Sequence, residues 1–510
     1  MPWAPVALHP SSLVSLPLIP KLPVADAFEA EYLEYNSILP LEVAGNHLRV
    51  AVAGAPAVEV LEDLELSFGV PVEVLPVSRD ELLDGIRRTY AAAESVVELV
   101  RDLDAELAPP AASSEEGITD ARDLANQPPV IRFVNLLIRE AHEARASDIH
   151  LEATREALRV RFRVDGVLAE LPSPPKGLQA AVVSRIKLLA ELDIAERRAP
   201  QDGRIRVRLN ERELDVRVST VPTLYGESVV LRLLDRGGRP VALGELGMGP
   251  DTLARFEALA ARPHGIVLAT GPTGSGKTTT LYAALGLRDP AAEKIITVED
   301  PVEYHLEGVT QVPVHAKAGM TFGSALRSIL RQDPDVLMVG EMRDAETAAI
   351  AVQSAMTGHL VFSTLHTNDA VSALTRLVDL RVEPYMIAAA LDGVLAQRLV
   401  RKVCPDCRER YRPDPQSVAL VAQHPVGKVT LERGKGCATC RQTGYRGRAG
   451  LFELLVVTDE IKHGLLQQEP LRQQREDARA QGLVTLREDG WAKVQAGITT
   501  VEEVLRVTDA

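Results

Sequence analysis

From Leu41 onward the chain alternates between two hydrophobic periods. HLRVAVA and VEVLPVS repeat every second residue, whereas AVEVLEDLELSFG and RDELLDGIRRTY carry apolar residues three or four apart. This alternation predicts a small α/β domain over residues 41–90. A longer helical run, PPVIRFVNLLIREAHEA, leads into strictly alternating LRVRFRVDG and RIRVRL, which predicts an α+β unit. Residues 241–400 alternate short, wholly apolar runs with helical ones, the pattern of a parallel sheet covered by helices. The expected division is 1–107 (with 1–40 poorly ordered), a Pro/Ser/Glu-rich linker over 108–120, a second domain over 121–238, a core over 241–400, a cysteine-bearing module over 401–445, and a helical region over 446–510.

Composition narrows the function classes. The 510-residue chain is 46% hydrophobic and 25% charged, ordinary for a globular protein. A net charge of −14 opposes any general affinity for nucleic acid or anionic lipid. The first 20 residues are uncharged but hold five prolines and no basic start, so neither a signal peptide nor a membrane span is expected. A cytoplasmic protein is the expectation.

The chemistry begins at GIVLATGPTGSGKTTTLYAAL. An apolar strand, Gly265–Thr270, runs into Gly271, Pro272, Thr273, Gly274, Ser275, Gly276, Lys277, Thr278 and Thr279, and then a helix. Glycines let backbone N–H groups curl around a phosphate, and the helix start adds a positive dipole end. Lys277 supplies charge for the β- and γ-phosphates, and the Thr278 hydroxyl suits Mg2+. This is a nucleotide site.

Three later strands end in polar groups that an open parallel sheet would bring to the same rim. IITVEDP delivers Glu299 and Asp300, DVLMVGE delivers Glu341, and HLVFSTLHTND delivers His366. An aspartate normally ends the second of these in a nucleotide hydrolase; here Gly340 stands in its place. Glu341 then suits a general base, with Gly340 leaving room for the attacking water. Its structural alternative is a carboxylate resting on the following helix dipole. Glu299 is a second catalytic candidate or a capped turn, His366 a γ-phosphate sensor, and His359 a structural residue.

GPTGSGKTTTLY, ITVEDPVEY, RQDPDVLMVGEMRDAETA and TGHLVFSTLHTNDA resemble the Walker A, Asp-box, atypical Walker B and His-box motifs of the secretion traffic ATPases. The resemblance runs through ASDIHLE, DIAERRAPQDGRI and STVPTLYGESVVLRLLD to cover residues 121–510, and points to the type II secretion branch. It implies a RecA-like parallel-sheet P-loop core, preceded by a PAS-like α+β domain and a small N-terminal α/β domain for partner docking. It also implies a hexameric ring that drives pseudopilus assembly, bound to inner-membrane platform proteins through a bitopic protein's cytoplasmic part.

Arg159, Arg161 and Arg163 share one strand face, as do Arg204, Arg206 and Arg208; Arg217 and Arg232 join them. Most read as solvated alternation. The resemblance implies that this domain closes over the nucleotide, with Arg204 and Arg217 supplying charge to the transferred phosphoryl group and Arg232 behind them.

All four cysteines lie in two CxxC pairs, Cys404/Cys407 and Cys437/Cys440, with 29 residues between them. Two such knuckles close a tetrahedral, structural Zn2+ site; a redox CxxC needs only one pair. Three functions remain to be separated: an ATP-driven secretion motor or its pilus-extension counterpart, a nucleic-acid translocase on the same core, and a nucleotide-gated binding module. With 4% aromatic residues the chain lacks the stacking platforms a translocase uses, so no nucleic-acid partner is expected.

Overall fold

The computed structural model describes residues 28, 30–44, 47–54, 56–91, 96, 99–100, 125–209, 212–235, 241–315 and 318–508. The expected linker at 108–120 and the proline-rich residues 1–27 lie outside them.

Near the N-terminus, β1 (Ile38–Ala44), β2 (His47–Val52) and β3 (Val72–Pro76) form a three-stranded sheet in that order, antiparallel then parallel. Helices Val58–Phe68 and Arg79–Ala91 take the two predicted helical runs. The expectation of poor order as far as residue 40 is corrected over 30–40. Ala30–Asn36 is helical because Leu33, Ile38 and Leu39 are completely buried in the core with Leu48 and Val50.

In the second unit, helix Pro128–Glu143 buries Val130, Phe133, Val134 and Leu137, the three-four spacing of an amphipathic face. It packs with a six-stranded antiparallel sheet ordered β6-β5-β4-β9-β8-β7. These strands are β4 (Ala146–Ala153), β5 (Leu158–Val164), β6 (Val167–Leu171), β7 (Gln201–Leu209), β8 (Arg212–Thr223) and β9 (Gly226–Asp235). Val160 and Phe162 point into the core while Arg159, Arg161 and Arg163 stay on the other face. All three bind neighbouring carboxylates: Arg159 pairs with Glu170, Arg161 with Glu152 and Arg163 with Asp148.

The largest sheet has seven strands, ordered β12-β11-β13-β14-β10-β15-β18. They are β10 (Gly265–Thr270), β11 (Ile295–Glu299), β12 (Thr310–Pro313), β13 (Val336–Val339), β14 (Leu360–Leu365), β15 (Leu391–Val403) and β18 (Tyr445–Val456). All neighbours are parallel except β15 and β18. β10, β13 and β14 are buried along their whole length, because helices cover both faces of a parallel sheet. The region 446–510 was expected to be helical, but its first part is the edge strand β18, whose segment Leu451–Leu455 is buried against β15. Helices Asp459–Leu466, Leu471–Ala480, Leu486–Gln495 and Val501–Thr508 follow. Between β15 and β18, β16 (Arg408–Tyr411) pairs with β17 (Leu431–Gly434), and helix Pro415–Ala422, between them in the chain, packs on helices Leu486–Gln495 and Val501–Thr508.

Among the described residues, no helix is long and apolar enough to cross a membrane.

Candidate active site

Because β11, β13, β14 and β10 are consecutive and parallel, their carboxyl ends share one edge. The loop Gly271–Gly276 leaves β10 there and enters helix Lys277–Leu285. Gly271, Gly274 and Gly276 all have positive φ, which side chains resist. A methyl built on Gly271 would stand 2.5 Å from the Gln397 carbonyl oxygen, so the loop also lies too close to β15 for one.

Lys277 bends back over this loop, donating to the Gly271 and Pro272 carbonyls at 2.7 and 3.0 Å. Burial lowers its ammonium to about 8, against the pull of Glu341 and aided by Arg398. The Ser275 hydroxyl is buried without a hydrogen-bond partner. A buried hydroxyl and a lysine parked on its own loop carbonyls fit an anion that would replace both arrangements. Pro272, Thr273 and Gly274 are open to solvent, while Thr278 and Thr279 are half-buried in the first helical turn.

Glu341 follows β13 with its side chain 14% exposed and feels Lys277 electrostatically. One carboxylate oxygen meets Arg343 at 2.5 Å and the other lies 3.6 Å from His366 Nε2. His366 is half exposed, its pKa lowered by burial and by Lys277. The geometry thus brings Lys277, Glu341 and His366 together.

It does not bring Glu299 to the same place. That carboxylate is buried and accepts from Tyr282, from Thr297 at 2.5 Å and from Gln311 at 3.2 Å, so it faces inward as an anchor of the sheet. Asp300, the next residue, is exposed. Gly340 also differs from expectation. A methyl there would lie 3.2 Å from the Val298 carbonyl oxygen and 3.4 Å from Phe322, so backbone and ring occupy the space expected for water. His359 sits at the opposite end of β14, its Nδ1 2.8 Å from the Ser354 carbonyl oxygen, a structural contact.

The register of the second unit aligns its charges. Arg204, Arg217, Arg232, Asp148 and Arg163 lie side by side across β7, β8, β9, β4 and β5. Asp148 meets Arg232 at 2.9 Å and Arg163 at 3.8 Å. Arg217 Nε is buried without a hydrogen-bond partner, and its guanidinium feels Glu303 in the core, opposing the burial that lowers its pKa. Adjacent like charges destabilise a sheet, so this end of the row suits an anion. Contact with the core is direct: Asp165, at the β5–β6 turn, accepts the Gly447 N–H at 2.8 Å.

Sequence reasoning missed Gln397 and Arg398. Both are buried on β15 beside the phosphate loop. The only signal is a polar pair inside the apolar run LDGVLAQRLV.

Cys404, Cys407, Cys437 and Cys440 gather with all four sulfurs within 4.8 Å of one another. Sulfur pairs 404/437, 407/440 and 437/440 are 3.9, 3.8 and 3.6 Å apart. A tetrahedron with zinc–sulfur bonds of ~2.3 Å has edges of about 3.8 Å, so the cluster fits Zn2+ without rearrangement. Burial opposes ionisation of Cys440, but the N–H groups of Cys437 and Gly444 outweigh it and bring that thiol to about 6.

The Type II/IV secretion system protein family matches residues 123–506, and the MshEN domain matches residues 13–96. Over 491 residues the chain is 47% identical to the type II secretion system protein E of Xanthomonas campestris pv. campestris, covering 96% of this chain and 86% of that one. It is 41% identical to the type IV pilus assembly ATPase PilB of Myxococcus xanthus, covering 93% and 85%. The X-ray structure of the Legionella pneumophila ATPase DotB shares the fold, with a TM-score of 0.55 at 22% identity over 74% of this chain and 96% of that chain. A match sustained through the arginine-bearing sheet, the phosphate loop and the cysteines makes the chain a member of the Type II/IV secretion system protein family.

Proposed function

We propose that the protein is the ATP-hydrolysing motor of a type II secretion system, converting ATP to ADP and phosphate to drive pseudopilus assembly and protein export. The observation that carries this reading is Glu341 beside Lys277 at the carboxyl edge of the parallel sheet. Lys277 leaves its loop carbonyls for the β- and γ-phosphates, and the Ser275 hydroxyl gains the partner it lacks. Glu341 turns one oxygen from Arg343 to the attacking water and accepts its proton. His366 faces the same water or the γ-phosphate, while Arg204 and Arg217 stabilise the charge on the transferred group. Mg2+, held by Thr278, neutralises phosphate charge when bound. The cysteines hold a structural Zn2+.

The motor works as a homo-oligomeric ring, a hexamer in this reading, in the cytoplasm against inner-membrane platform proteins. A pilus-extension motor is the second reading, favoured by the PilB relative; the secretion protein is the more similar, at 47% against 41% identity. Deleting the gene separates them by loss of secreted enzymes or loss of surface pili.

For the chemistry, Glu341→Gln retains ATP affinity while turnover falls about a hundredfold or more. Nucleotide titration and phosphate release measure both. Hydrolysis at the wild-type rate in that variant overturns the assignment.

A further inference from the structure

Arg398 is only 6% exposed, and among the described residues no acidic side chain lies within ion-pair distance of it, though Glu453 and Asp369 act on its charge from farther away. Instead its guanidinium spans two carbonyls: Nη1 donates to Gln397 O at 3.1 Å and Nη2 to Asn368 O at 2.9 Å. A methyl on Gly271 would stand 3.1 Å from the same Nη1, so the guanidinium lies against the base of the phosphate loop. Beside it, Gln397 accepts from Thr280 at 2.7 Å, and its amide nitrogen would be 2.8 Å from a methyl on Gly276.

Asn368 belongs to the loop that carries His366. This loop is held at three further points: Thr367 N–H donates to Thr270 at 2.9 Å, Ala370 N–H donates to the buried Glu453 at 2.8 Å, and the Asp369 carboxylate accepts from Arg475 at 2.6 Å. The first fastening is to β10 and the second to β18. Arg398 adds a further tie, from the Asn368 carbonyl to β15 where that strand runs beside Gly271. Burial opposes the guanidinium's charge and Glu453 and Asp369 only partly offset it from a distance, so an anion on this rim would stabilise it further.

We infer that Arg398 is a positioning residue for hydrolysis: by bridging the Asn368 and Gln397 carbonyls while packed beside Gly271, it fixes the spacing between the triphosphate and His366. The inference rests on the ATPase reading above. A lysine at this position keeps the charge but, as a single-point donor, does not hold the planar two-carbonyl bridge. Small displacements of reacting groups are expensive in rate.

The test uses the full chain with Arg398→Met and Arg398→Lys, measuring affinity for fluorescent ADP and ATP analogues, kcat, KM and melting temperature. Arg398→Met should weaken both nucleotides and lower kcat about tenfold or more. Arg398→Lys should recover affinity to within about threefold while kcat stays about tenfold down. A Lys variant with wild-type kcat, or a Met variant altered only in melting temperature, overturns the inference; should the Met variant not fold, the Lys variant decides alone. Wild type and Glu341→Gln run alongside. An inert wild type sinks the ATPase reading, whereas an active wild type matched by Arg398→Lys sinks only the positioning role.

Discussion

The two large sheets place chemistry in opposite ways. The seven-stranded, mostly parallel sheet is largely apolar along its strands and brings Lys277, Glu341 and His366 together at its carboxyl edge. The six-stranded antiparallel sheet carries its charge on a face, where alternation exposes every second residue and register lines up Arg204, Arg217 and Arg232. Ends suit a single small ligand held by converging loops; a face suits a surface that closes over something. A site assembled from one of each can be opened and shut by moving one sheet against the other.

The sharpest way to break this contrast is Arg217→Ala. If the face completes the rim, kcat falls about a hundredfold or more with KM changed only severalfold. Arg159→Ala, on the same sheet but paired with exposed Glu170, stays within about twofold of wild type. Equal effects from both would reduce the face to ordinary solvated alternation.

A smaller effect comes from the cysteines, which belong to neither sheet's rim. Cys404→Ser, or removal of metal by chelation, abolishes about one equivalent of bound zinc and destabilises the module, while ATP affinity stays within about threefold. Metal analysis and nucleotide titration read both, and a collapse of ATP affinity would tie the module to the rim.

The mildest test concerns Glu503. Burial pushes its carboxyl up, but Arg506 and Arg401 prevail and hold it at about 2, below the usual 4.5. The native state therefore gains stability at neutral pH, and this is lost as pH falls from about 4.5 towards about 2. Glu503→Gln should cost roughly 1–3 kcal/mol at pH 7 and flatten that acid dependence. Fluorescence of Trp491, in the same hydrophobic cluster as Val501 and Val504, follows it.

What the sequence made legible divides along the same line. The phosphate loop and the paired cysteines are local spacings, so their geometry is written within a few residues. Glu341 is nearly as local, one residue beyond the Gly340 that ends an apolar strand. Glu299 was harder: strand alternation offers two faces, and the choice was made by Tyr282 and Gln311, which nothing local connects to it. Arg398 was silent because only the pairing of β10 with β15 reveals what it touches. The arginine row was half legible, its alternation visible and its lateral alignment dependent on register. β18 escaped notice because YRGRAGLF opens with arginines and glycines before its apolar half.

Gly340 has a consequence for substitution. Its N–H donates to the Val298 carbonyl at 2.8 Å, and that oxygen occupies the direction any side chain would take. An aspartate there would bring its Cβ to 3.2 Å from that oxygen and 3.4 Å from the Phe322 ring, so the strand or the ring would have to give by a few tenths of an ångström before the carboxylate could reach a metal.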